Sequence, residues 1–168
     1  RLVRPEQLLD ALPRVMATLL DPVTCGPATF AFCQDVQAEA FDYPASFFER
    51  RVWRARKPQP EAKEIEALAS AIRSAKAPLL IAGGGALYSH AEQILSQLAK
   101  TTGLPVAETQ AGKGALAWDH PSALGSIGVT GSSAANEAAA KTDLVVGIGT
   151  RLQDFTSGSR TLFERPGA

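Results

Sequence analysis

The sequence predicts an α/β fold, an open parallel sheet with helices on both faces, and three observations carry that expectation. Two short apolar runs, Pro78 to Ala82 and Asp143 to Gly149, read as strands buried on both faces. Stripes of apolar residues at helical spacing alternate with these runs. Glycines then collect where each run ends, the edge at which open parallel sheets receive ligands.

In chain order, Leu8, Leu9, Leu12, Val15, Met16, Leu19 and Leu20 form a helical stripe, which Pro13 should kink or restart. Asp21-Pro22 and Cys25-Gly26-Pro27 punctuate, and Ala28 to Cys33 reads as one buried strand. A helix and one strand cannot close a core, so residues 1–37 are expected to be the tail of another α/β domain. Residues 38–60 have little periodicity and hold Phe41, Tyr43, Phe47, Phe48 and Trp53, ending in the basic stretch Arg50 to Lys57. They read as a connector laid across a neighbouring surface, with its aromatics docked and its arginines paired with acids.

Residues 61–168 are regular. Ile65, Leu68 and Ile72, supported by Ala62 and Ala69, make a helix face, and the strand Pro78 to Ala82 runs into Gly83-Gly84-Gly85. Ala91, Ile94, Leu95, Leu98 and Ala99 predict a second helix, which Gly103 ends and Pro105 blocks. Leu104 to Thr109 is the next strand. Ser132 or Ser133 caps an alanine-rich helix reaching Lys141, ahead of the last strand.

Composition excludes several classes. The 168 residues are 45% hydrophobic, and 17 basic side chains cancel 17 acidic ones. That balance argues against a nucleic-acid surface or an anionic-lipid surface. No apolar run approaches the roughly 20 residues of a membrane span. Arg1-Leu2-Val3-Arg4-Pro5 shows no initiator Met and no secretory leader, the expectation being a chain that starts mid-protein in the cytoplasm. Cys25 and Cys33 are expected to be buried reduced thiols, and with His90 and His120 they assemble no zinc spacing.

Candidate chemistry rests on the glycines. Gly83, Gly84 and Gly85 follow one strand, Gly112 and Gly114 the next; Gly128 and Gly131 precede the alanine-rich helix, and Gly147 and Gly149 close the last strand. Such loops can cradle a phosphate, or can simply make tight turns. The dinucleotide pattern GxGxxG fails, because Tyr88 stands where its third glycine belongs. Glu108 is placed to meet a ribose; Arg151 and Asp154 pair with each other or touch a ligand. His120 reads as a turn residue and His90 as a solvated first-turn residue. No nucleophile–base arrangement is present, so no catalytic residue is assigned.

The blocks LLIAGGGA, LPVAETQAGKGALAWDHP, GSIGVTGSSAAN and DLVVGIGTRLQDF, in this order, resemble the central domain of thiamine-diphosphate enzymes of the acetohydroxyacid synthase group. Gly26 to Tyr43 is similar to the end of that group's pyrimidine-binding domain, with Asp35-Val36 after its last strand. CQDVQAEAFDYP, Phe47-Phe48 and Val52-Trp53-Arg54 resemble the branch that hydrolytically opens a cyclic 1,2-diketone in inositol breakdown. Synthases of the group usually carry Pro-Lys in place of Cys33-Gln34 and Met-His-Gly in place of Val129-Thr130-Gly131.

The resemblance implies thiamine diphosphate and magnesium, both held outside this chain. The catalytic glutamate is expected upstream, a Gly-Asp-Gly…Asn motif downstream, and the central sheet to continue beyond Phe163. It also implies the remaining domains as partners and a dimer or tetramer of identical chains, with this chain inactive alone. FAD, bound in a non-redox role by the synthases, is not expected here; were it held, its contacts would fall on Gly83, Gly84, Gly85, Gln110, Gly131, Gly149 and Arg151. Two readings stay open beside the hydrolase: an acetolactate-forming synthase, and a stand-alone module resembling the flavin-binding domain of electron-transfer flavoproteins. An RNA-binding protein would need arginines spread beyond residues 50–57.

Overall fold

A computed structural model describes residues 1–21, 25–54 and 58–163 of the chain. They fall into two compact units, residues 1–59 and 60–168. Pro22, Arg56 and Lys57, noted above as punctuation and basic residues, lie outside the described residues.

In the second unit the apolar runs become strands where expected. β1 is Pro78–Ala82, β2 is Val106–Glu108 and β4 is Leu144–Ile148. β3, Ala123–Ser126, is a strand the pattern did not announce. All pair in parallel in the order β3-β2-β1-β4, with a register shift between β2 and β3 at Val106/Ala107. Leu79, Leu80, Ile81 and Ala82 are all buried, as continuous apolarity requires of a central parallel strand.

Successive β1 side chains serve opposite faces. Leu80 and Ala82 pack with Val106, Leu95 and Ala99, bringing α4, Glu92–Thr102, onto one face. Leu79 and Ile81 pack with Ala107, Ile127, Ala135 and Ala139, bringing α5, Ser133–Lys141, onto the other. Gly103, at φ +71°, closes α4 in the left-handed conformation the sequence assigned to it. Ser132 is the cap of α5: its Oγ accepts from Ala135 N at 3.1 Å and donates to Leu124 O at 2.6 Å.

The start of the central strand pair is held by side chains. Asp143 accepts from the amides of Lys76 and Ala77, both at 2.8 Å, and the buried Thr142 hydroxyl donates to Ala77 O at 2.7 Å.

The first unit contains α1, Leu8–Leu20, which runs through Pro13 without interruption, preceded by a 3-10 turn at Pro5–Gln7. The expected strand at Ala28 to Cys33 is a correction. The segment is mostly exposed and makes one parallel bridge, Leu2 to Phe32, because Leu2 is its only backbone strand partner among the described residues. Cys25 and Cys33 are free thiols, yet half-buried rather than buried; Cys33 Sγ accepts from Arg1 Nε at 3.1 Å.

Two helix faces also depart from expectation. α2, Ala62–Ser74, forms with a reciprocal cap between Glu61 and Glu64, but Ile65 and Leu68 stay 53% and 48% exposed. None of its residues is buried among the described residues, so its apolar stripe lies outside both core clusters. Ile94 likewise points outward from α4, whose core contacts come from Leu95, Leu98 and Ala99.

Candidate functional site

Strand order reverses between β1 and β4, which makes the carboxyl ends of these strands the switch point of the sheet. The glycines singled out from sequence meet there. Gly83 N donates to Ile148 O at 2.8 Å, and Gly85 N donates to Gly149 O at 2.9 Å. The loop after β1 is therefore fastened to the end of β4 through the amides that a phosphate would need.

Close packing explains the residue type. A Cβ on Gly83 would run into Gly149 O and the Thr150 side chain, and one on Gly85 would stand 2.6 Å from Gly149 Cα. Gly149 has φ +58°, and a Cβ there would stand 2.6 Å from Ala86 N. At Gly112 a Cβ would collide with Ala82 O. Gly84 opens α3, Gly84–Tyr88, a five-residue helix where the sequence reading had a loop.

The other carried-over residues gather less tightly. Gln110 lies in the 3-10 turn Gln110–Gly112, and its Nε2 donates to Thr130 Oγ1 at 3.2 Å, joining the loops after β2 and β3. Gly131 N donates to Gly128 O at 2.9 Å in the turn before α5. Arg151 is exposed past β4. It forms no ion pair with Asp154, a correction to the expected pair: Asp154 opens the short helix α6, Asp154–Ser157, and accepts from Ser159 Oγ at 3.3 Å.

Glu108 has a part within the fold. Its Oε1 accepts from Gly114 N at 3.1 Å and Leu116 N at 2.9 Å, so the carboxylate shapes the loop after β2. Glu108→Ala is expected to cost about 2 kcal/mol by leaving both amides unpaired, and Glu108→Gln about half that, since an amide oxygen still accepts. Urea unfolding of the three proteins checks the order.

Other fastenings carried no sequence signal. Asn136 Oδ1 accepts from Gly128 N at 3.1 Å while its Nδ2 donates to Gly128 O at 3.0 Å, holding the loop before α5 from both sides. His120 is the turn residue expected: its N donates to Ala117 O, and Nδ1 accepts from Ser122 N at 3.1 Å. His90 sits in the left-handed region at φ +55°, two residues ahead of α4 rather than in its first turn. Beside Glu108, Lys113, Trp118 and Ser126 line an open cavity of about 420 Å³.

This architecture defines a carboxyl-edge scaffold whose loops are bound to one another. Residues 65–167 match the family described as thiamine pyrophosphate enzyme, central domain. The chain belongs to that family.

Its similarity to particular proteins runs through the first unit as well. It is 46% identical over 164 residues to the 3D-(3,5/4)-trihydroxycyclohexane-1,2-dione hydrolase of Shouchella clausii, covering 98% of this chain and 26% of the relative. The hydrolase of the same name from Geobacillus thermodenitrificans is 47% identical over 163 residues, covering 97% of this chain and 26% of the relative. The one from Clostridium perfringens strain 13 is 46% identical over 166, covering 99% and 26%. The chain thus spans about a quarter of the length of the curated relatives it matches.

Proposed function

We propose that this chain is part of a thiamine-diphosphate-dependent hydrolase that opens 3D-(3,5/4)-trihydroxycyclohexane-1,2-dione to a deoxyglucuronic acid in inositol catabolism. The observation that carries the reading is identity of 46% extending over 98% of the chain. In it, residues 1–37 end the pyrimidine-binding domain, 38–60 form the interdomain linker and 61–168 belong to the central domain of a cytoplasmic dimer or tetramer.

Thiamine diphosphate would supply carbanion chemistry to the whole enzyme. In this reading thiamine diphosphate and its magnesium are held outside these residues, and this chain carries no catalytic step. Its part is a scaffold, inactive alone, whose carboxyl edge is fixed by Glu108, Asn136 and the glycine contacts.

The whole enzyme, given thiamine diphosphate, magnesium and the diketone, is expected to consume the diketone with uptake of water. Acetolactate formed from pyruvate, with the diketone untouched, would replace this reading by the synthase.

A titration with FAD, with ADP as competitor, addresses the edge separately. No binding is expected, because the Gly83 and Gly85 amides already have acceptors. Micromolar, competable binding would make Gly83, Gly84, Gly85, Gln110, Gly131, Gly149 and Arg151 the expected flavin contacts.

A further inference from the structure

The cavity beside Glu108 lies at the β2–β3 end of the sheet and shares no lining residue with the glycine loops after β1 and β4. Its volume of about 420 Å³ falls in the range of small-ligand pockets. Glu108, Lys113, Trp118 and Ser126 line it, and each brings a different chemistry.

Glu108 Oε1 is taken by the amides of Gly114 and Leu116, which hold the carboxylate in place. Its Oε2 has no hydrogen-bond partner among the described residues and is open to solvent. An acceptor held this way loses little side-chain freedom when a ligand binds. Lys113 offers only donors; it is exposed and makes no ion pair among the described residues, not even with Glu108 in the same cavity. The Ser126 hydroxyl, which both donates and accepts, has no partner among those residues either. Trp118 is 92% exposed, so almost its whole indole is in water, where an apolar ring face gains by being covered.

We propose that this cavity binds a neutral polyhydroxylated ring, a cyclitol or a sugar. Charge selects the class. An anion would meet the Glu108 carboxylate and a cation the Lys113 ammonium, whereas ring hydroxyls donate to Oε2 and accept from Nζ. Ser126 can take a further hydroxyl in either sense. The ring also carries an apolar C–H face, which suits the exposed indole of Trp118. The inference stands on these four side chains and does not rest on the diketone reading.

Equilibrium dialysis of the full-length enzyme against labelled myo-inositol and labelled glucose, without thiamine diphosphate, tests the site. At least one is expected to bind with a millimolar Kd, and the tighter one identifies the kind of ring. Lys113→Met is expected to weaken that binding about tenfold by removing the charged donor. Trp118→Ala is expected to weaken it about tenfold by removing the platform. Trp118→Phe keeps an aromatic face and should stay within about threefold of wild type. Both positions are exposed, so these changes leave the fold in place. Binding that Lys113→Met or Trp118→Ala leaves unchanged overturns the proposal, as does no binding at tens of millimolar. Tighter binding of phenylalanine also overturns it, because a zwitterion would satisfy Glu108 with its ammonium and Lys113 with its carboxylate. An enzyme inert toward the diketone that still binds inositol or glucose through Trp118 keeps this site and removes the substrate reading.

Discussion

Gly149→Ala is expected to destabilise the sheet unit by about 4 kcal/mol, the sum of a left-handed backbone and a forced overlap in a packed turn. The overlap is with backbone, Ala86 N and Gly85 C both at 2.6 Å, so no side chain can swing away to relieve it. Gly103→Ala is the matched control. Gly103 has φ +71° but nothing within 4 Å of its Cβ position, so only the backbone cost of about 1 kcal/mol applies. Urea midpoints of the two variants separate the roles: a ligand-binding glycine would leave Gly149→Ala nearly as stable as Gly103→Ala. A large gap between them identifies the switch-point glycines as packing residues.

The second large effect is expected at Ile81. It is fully buried in the central strand and joins β1 to Ala107, Ile127, Ala135 and Ala139. Ile81→Ala removes three carbons from a site enclosed by main chain and small side chains, where collapse is limited, and should cost about 4 kcal/mol. For a chain of this length that corresponds to a fall of roughly 10 °C in Tm, measurable by thermal denaturation. A fall under roughly 3 °C would mean that the sheet is not the stability centre of this unit.

How much of this was legible in the sequence follows from which signals are local. β1 and β4 were legible because a strand buried on both faces must be apolar without interruption. β3 was not: Ala123–Ser126 is half-buried, contains Gly125 at φ +81°, and lies at the sheet edge, so burial never wrote an apolar run there. α3 was hidden because it opens with Gly84 and Gly85, residues of low helix propensity kept for the close approach to β4. Ala28 to Cys33 misled in the other direction, since an apolar run promises burial only where a sheet exists to provide it.

The candidate site was half legible. Glycines at strand ends located the edge correctly, but their spacing cannot tell an amide offered to a ligand from one already given to Ile148 O. Glu108 and Asn136 carried no signal, because each acts on backbone groups six to eight residues away through loop geometry. The apolar stripe of α2 was read correctly as a helix face, and the structure leaves Ile65 and Leu68 exposed. Periodicity reports which face is apolar, not what covers it.

The fastening at the start of β1 and β4 has a kinetic consequence. Asp143 reaches back 66 and 67 residues to the amides of Ala77 and Lys76, so the central pair of strands closes a long loop. The neighbouring β1–β2 pair joins residues far closer in sequence, Leu80 with Val106, and can assemble at smaller entropic cost. Of the four described strands, β4 is therefore the last expected to join. Until it arrives, the Gly83 and Gly85 amides have no acceptor and β1 has an open edge, which makes the partly folded chain most prone to pair with another copy at this strand.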